Sequence, residues 1–220
     1  MILTKLSPFL GVVLAAERKE HSSLFVPTRE SGKLYRMYEH IMVAVSGVVA
    51  DANFLIQQGR TRCLQSMYQT CENIGVEQCV RYLAERKHVS TLYGGGRPFG
   101  VSFMYAGYDP YQGFQLYCSD PSGNYAAWKA QATGKNSTNA KSTLKDEYRE
   151  DMTLNEGLLL ATKVLGKSMD MAKPSADRFE IGLITKDAAG NLVQRTMEGE
   201  ELAKILDDAK VWDEIAAAKK

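Results

Sequence analysis

The sequence predicts an α+β fold, a four-layer α-β-β-α sandwich, and three observations predict it. Strand-like and helix-like stretches come in groups: strands, two helices, strands, two helices, strands and a last helix. Each helix carries a single apolar stripe, which needs a sheet to bury it. No linker or low-complexity stretch divides the 220 residues, so 1–220 reads as one domain. A doubly wound nucleotide fold would instead alternate single strands with single helices.

The elements follow in order. Val12 to Leu14 and Ile41 to Val49 are apolar, β-branched and poor in helix formers; they read as buried strands joined through "KLYRMYEH". From Asp51 the period changes, because Ala52, Leu55, Ile56, Gly59, Cys63, Met67 and Cys71 fall three or four residues apart, with Asp51 placed to cap the first turn. Gly75 interrupts, and Val76, Cys79, Val80 and Leu83 restart the period in a helix running toward Leu92. "FGVSFMYAGY", "FQLYCS" and "YAAWKAQAT" then form an antiparallel meander through the turns "DPYQG" and "DPSGN". "STNAKSTLKDEY" is helical, and Thr153 with Glu156 forms a capping box ahead of Leu154, Leu158, Ala161, Leu165 and Met169. "RFEIGLIT" and "LVQRT" close a hairpin around "DAAGN", and a last amphipathic helix runs through Leu202, Ile205, Leu206, Ala209 and Trp212.

Composition removes several function classes. Lys and Arg number 27 against 26 for Asp and Glu, so no overall field favours nucleic acid, an anionic membrane or an acidic partner. The four cysteines contain no C-x-x-C pair and no neighbouring His at ligand spacing. Cys63, Cys71 and Cys79 lie on apolar helix faces, as buried thiols in a reducing compartment do, which points to cytoplasm and nucleus. No apolar run reaches the ~18 residues of a membrane span, and "MILTKLSPFL" lacks a long apolar core and a small-residue cleavage site. His21, His40 and His88 stand in polar contexts that read as exposed, and no serine lies in G-x-S-x-G. Neither a metal nor an organic cofactor is expected.

The stretch "TLYGGGRPFGVSF" suggests a phosphate cradle, with Gly94, Gly95 and Gly96 before Arg97 and Pro98, and Gly100 after Phe99. In dinucleotide and P-loop sites, however, the glycines follow a strand and open a helix. Here they follow a helix and lead into a strand beginning near Pro98. The order predicts left-handed glycines that end the helix and allow close backbone packing at a corner.

Four strings resemble the proteasome alpha-subunit family: "GVVLAAERK" at 11–19, "VSGVVADANFLIQQGR" at 45–60, "GGGRPFGVSFMYAGYD" at 94–109 and "FQLYCSDPSGNYAAWKA" at 114–130. The resemblance implies the N-terminal nucleophile hydrolase fold, which is the same four-layer sandwich. It also implies a noncatalytic place in the outer ring of the proteasome core particle, supporting assembly, substrate access and activator docking in ubiquitin-dependent degradation. The implied partners are other alpha subunits, beta subunits and activator particles, with no nucleic acid and no membrane. Residues 1–10 depart from the family, whose Tyr-Asp-Arg-like gate element and early helix have no match here. The expected start is therefore atypical, and a gating role is not expected of this chain.

The catalytic beta relatives use an N-terminal threonine whose own amine serves as base. Counting back from "GVVLAAE", that position falls at or beside Met1, and Thr4 lies too close to the following strand to substitute. Glu17 and Lys33 fall where those relatives keep a supporting acid and lysine, but Glu17 is longer than the usual Asp. The competing reading, a beta-type threonine peptidase, requires a threonine at the mature N-terminus. Lys33 also matches the lysine that in alpha subunits helps form the pocket for activator C-terminal tails, where a carboxylate would gain a charge-assisted hydrogen bond. Its plain alternative is a solvated lysine before a strand. Gly47 either lets backbones approach beside that pocket or simply ends a tight strand. Asp51, Arg60 and Arg97 are read as intrachain caps and surface pairs in preference to ion pairs across subunits. Trp212 either covers the core or contacts a cap.

Overall fold

Why a strand such as "VVLAA" reads as a continuous apolar run is plain in the computed structural model, which describes residues 2–5, 11–18, 24, 32–93, 96–169, 178–187, 189–197 and 202–203. Both faces of its sheet are covered. Val12 and Leu14 face an inner layer, whereas Val13 and Ala15, one step along the pleat, face a layer of helices.

The chain runs β1 (Ile2–Lys5), β2 (Val12–Glu17), β3 (Leu34–Tyr38), β4 (Ile41–Gly47), α1 (Val49–Thr70) and α2 (Val76–Leu92). It continues through β5 (Val101–Asp109), β6 (Gly113–Ser119), β7 (Tyr125–Ala127), β8 (Ala130–Ala132), α3 (Ser137–Glu147), α4 (Leu154–Ser168), β9 (Phe179–Lys186) and β10 (Leu192–Met197). Two five-stranded sheets result, in the orders β10-β9-β2-β1-β8 and β3-β4-β5-β6-β7, and every pairing is antiparallel.

Three apolar layers bind the four structural ones, as the element order predicts. Leu158, Ala161 and Leu165 of α4 pack on Val13, Phe179 and Ile181 of the first sheet. Leu55, Ile56, Val80 and Leu83 of α1 and α2 pack on Val43, Phe103 and Tyr105 of the second. Between the sheets, Val12, Leu14 and Ile184 meet Met42, Met104 and Leu116. Burial of each such side chain contributes roughly 1.5–3 kcal/mol. The α4 entry is the predicted capping box: the Glu156 N–H donates to Thr153 Oγ1 at 3.3 Å, and the Thr153 N–H donates to Glu156 Oε2 at 2.7 Å.

Several local readings need correction. "KLYRMYEH" is not merely a connection, because Leu34–Tyr38 forms β3, with Tyr35 and Met37 buried and Arg36 exposed. β4 ends at Gly47, so Val49 opens α1 instead of ending a strand. "YAAWKAQAT" is two strands: β7 edges one sheet beside β6 and β8 edges the other beside β1, with Trp128 and Lys129 making the crossing. The Trp128 N–H donates to the Leu116 carbonyl at 2.9 Å, beyond the last β6–β7 pair.

The last turns of α1 run past the sheet, leaving Met67 and Cys71 exposed, with Cys71 in the left-handed conformation (φ 55°) that ends the helix. Cys63 and Cys79 are buried thiols, their sulfurs 3.8 Å apart. His40 is buried, not exposed: its Nε2–H donates to the Ile74 carbonyl at 2.7 Å, and burial pushes its pKa down. Residues 202–203 are helical and Leu202 is buried; Ile205, Leu206, Ala209 and Trp212 lie outside the described residues, as does His21.

Candidate functional site

The end of β4, the first turn of α1 and the segment before β5 converge on one corner. Gly47 has φ +132°, and a β-carbon there would run into the Gly100 carbonyl oxygen. That same carbonyl accepts the Val48 N–H at 2.9 Å. Gly47 is thus required by a backbone-to-backbone approach at a conformation L side chains rarely adopt. Gly134, after β8, lies at the same end, where a β-carbon would stand 3.4 Å from Ser46 Oγ.

Asp51 does not cap α1. The helix starts two residues earlier, and Val48 at its N-cap offers no side-chain acceptor. The Asp51 carboxylate turns instead to the 97–100 segment. Arg97 donates Nη1–H to Oδ2 at 2.6 Å and Nη2–H to Oδ1 at 2.7 Å, and the Gly100 N–H donates to Oδ2 at 2.9 Å. The Arg97 bond first, and then the Gly100 bond, hold the Asp51 carboxyl below its ordinary range against the opposing effect of burial. Phe99 stacks on Phe54 with ring centroids 5.9 Å apart, fixing the segment against α1.

Of the glycines predicted to be left-handed, Gly96 and Gly100 are not. α2 ends with Tyr93 in an extended conformation, β5 begins at Val101, and neither Gly96 nor Gly100 has positive φ. Gly96 is open to solvent on the side where a β-carbon would stand, whereas at Gly100 it would meet Val48 Cγ2 at 3.1 Å. Gly94 and Gly95 lie outside the described residues.

Lys33 enters this end of the fold through its backbone. Its N–H donates to Glu180 Oε2 at 2.7 Å, and its carbonyl accepts the Val45 N–H at 2.9 Å, two residues before Gly47. Glu180, buried in β9, also accepts the Leu34 N–H at 3.3 Å, and Gly32 leaves no room for a β-carbon against its carboxylate. One buried acid of the first sheet therefore sets the entry of β3 into the second. Sequence reading missed Glu180, though a lone acid inside the apolar "FEIGLIT" was the available signal. The Lys33 side chain is half-buried.

The other expected residues are dispersed. Glu17 pairs with Arg178 at 3.3 Å. Arg60 donates Nε–H and Nη2–H to the Arg36 carbonyl at 3.2 and 2.9 Å, tying α1 to β3. Thr4 sits within β1, its backbone paired to Val13 on one side and Ala130 on the other. His88 is exposed, its Nδ1 3.4 Å from the Ser122 carbonyl. Among the described residues no His, Cys, Asp and Glu cluster could hold a metal ion, and no helix is long and apolar enough to cross a membrane. Among the described residues this corner positions backbone and charge and gathers no nucleophile with a base.

Comparison with known proteins agrees with that reading. The family model described as proteasome subunit matches residues 10–184. Proteasome subunit alpha type-4-1 of Oryza sativa subsp. indica is 42% identical over 200 residues, covering 90% of this chain and 80% of its own. Proteasome subunit alpha type-4 of Dictyostelium discoideum is 42% identical over 206 residues, covering 93% and 82%. Proteasome subunit alpha type-4-A of Arabidopsis thaliana is 40% identical over 196 residues, covering 89% and 78%. The chain belongs to the proteasome subunit family. Within that family its similarity is to alpha-type members, and a beta-type peptidase reading is not favoured.

Proposed function

We propose that this chain is a noncatalytic alpha-ring subunit of the proteasome core particle, contributing assembly, substrate access and activator docking to ubiquitin-dependent protein degradation. The observation that carries the reading is its similarity to alpha type-4 subunits over about nine-tenths of its length. The place of Thr4 inside a paired strand is consistent with it, because a nucleophile that uses its own amine as base must stand at a free chain start.

Its partners are the neighbouring alpha subunits and the beta subunits. Phe54, Leu64, Met67 and Tyr68 are exposed along α1, an apolar surface suited to a chain that has neighbours. Lys33 and Gly47 contribute to the pocket that takes an activator's C-terminal carboxylate; their common place at one end of the second sheet supports that role. Cytoplasm and nucleus are the compartments that go with this assignment.

The test is isolation of core particles from cells expressing the tagged chain. Stoichiometric recovery with alpha and beta subunits is the expected result, and recovery only as a free chain would overturn the reading. Fluorogenic peptide turnover by the isolated chain, stopped by a threonine-protease inhibitor, would count against the noncatalytic assignment. In assembled particles, Lys33→Glu weakens activator association; unchanged association removes Lys33 from the pocket.

A further inference from the structure

Where the chain crosses from one sheet to the other, a cavity of about 500 Å³ opens between the crossing and α3. That volume lies within the range of about 300–1,000 Å³ usual for ligand sites. Ala127, Ala130, Leu144 and the rings of Trp128 and Tyr148 give it apolar walls. The Trp128 side chain is 44% exposed although its backbone is fixed to Leu116, so an aromatic surface is presented at a rigid point of the fold.

The polar groups around these walls are biased toward donors. Lys129, Lys141 and Lys145 contribute ammonium groups, which only donate, and the Trp128 indole N–H does the same. Gln131, another lining residue, is buried, and its Oε1 accepts the Ala132 N–H at 3.0 Å. Among the described residues no carboxylate lines the site. Lys141 and Lys145 are exposed and one helical turn apart, so their like charges sit on the same face of α3 and repel. Glu150 reaches in from beyond α3 to form an ion pair with Lys129, and this keeps the Lys129 pKa above its ordinary value. A carboxylate at the rim is therefore already accommodated once by the chain itself.

We propose that this cavity binds an acidic peptide segment of a partner protein, with an aromatic or branched aliphatic side chain as its anchor. The anchor packs against Trp128, Leu144 and Tyr148, and the flanking carboxylates meet Lys141 and Lys145. Charge complementarity selects an anionic occupant, and the mainly apolar walls select a side-chain anchor over a nucleic-acid backbone, which needs an extended basic track. Neither Lys33 nor Gly47 lines this cavity, and the proposal does not rest on ring membership.

Fluorescence anisotropy of the full chain with a fluorescein-labelled Asp-Glu-Asp-Phe-Glu-Asp peptide tests the proposal. Saturable binding is expected, weakened about tenfold or more when the peptide Phe becomes Ala, and as much by Lys141→Glu with Lys145→Glu. Trp128→Ala weakens it several-fold while the far-UV circular dichroism stays unchanged. The peptide pair uses the unaltered chain, so its result does not depend on any variant folding. The proposal is overturned if no saturable binding is seen, if the Ala peptide binds equally well, or if the folded lysine variant binds unchanged. It is equally overturned if phosphatidylserine vesicles or an oligothymidylate bind in preference to the peptide.

Discussion

The Gly100 carbonyl oxygen occupies the space a β-carbon on Gly47 would need, and it accepts the hydrogen bond of the very next residue, Val48. Strand end and helix start are thereby welded to the segment that leads into β5. Gly47→Ala meets both a backbone clash and a φ of +132°, so it destabilises the chain by about 2 kcal/mol or more. Gly96→Ala, with open space and no positive φ, stays within about 0.5 kcal/mol of the parent. Urea unfolding of the two variants checks the contrast; equal effects would refute it.

The Asp51 carboxyl titrates below its ordinary value of 3.8, because Arg97 and the Gly100 N–H bind its charged form. The folded state thus releases this proton at lower pH than the unfolded chain does. The stabilisation is complete above about pH 4–5 and is lost as pH falls through the folded value. Asp51→Asn removes that part of the acid dependence and lowers stability at pH 7, where the parent still has the full interaction. The unfolding midpoint of the two proteins, followed from pH 7 to pH 3, should converge as the pH falls.

Lys87 is fully buried on α2. It donates to the Val101 carbonyl at 3.0 Å and to Ser119 Oγ at 2.9 Å, with its ammonium 4.3 Å from the centroid of the Phe103 ring. Burial pulls its pKa from 10.5 to about 7. Between those values the unfolded chain carries the extra proton, so stability rises with pH across the window and its slope approaches about 1.4 kcal/mol per pH unit. Urea titrations of the parent and Lys87→Met at pH 7.5, 8.5 and 9.5 isolate the effect, since only the parent should show this slope. Parallel pH profiles would show that Lys87 remains charged in the fold.

The capping box at α4 gives a separable local test. Thr153→Ala removes the acceptor of the Glu156 N–H and costs about 1 kcal/mol. Thermal unfolding should show a lowered midpoint, whereas Thr153→Ser, which keeps the oxygen, should stay close to the parent.

Thiol accessibility follows the layers. Cys71 is exposed, Cys118 is partly buried with its pKa pushed up to about 11, and Cys63 and Cys79 are buried. A thiol reagent at pH 7.5 should modify Cys71 rapidly in the native chain and all four cysteines only in denaturant. Rapid native modification of Cys79 would contradict the packing of α2 against the sheet.

The sequence by itself determined the grouping of strands with helix pairs, the four layers, the α4 capping box and the family, because these rest on local periodicity and on strings of adjacent residues. Even the continuous apolar runs of β2 and β4 announced strands covered on both faces. Only the tertiary structure decided what depends on residues far apart in the chain. Asp51 looked like a helix cap until Arg97 and Gly100, 46 and 49 positions away, proved to hold its carboxylate. Glu180 had no visible use until it met the N–H of Lys33, and "YAAWKAQAT" looked like one strand until its halves joined different sheets. The physical reason is the same in each case. A side chain's periodicity says which face it occupies, but its charge is satisfied, and its backbone paired, by whatever the fold brings beside it.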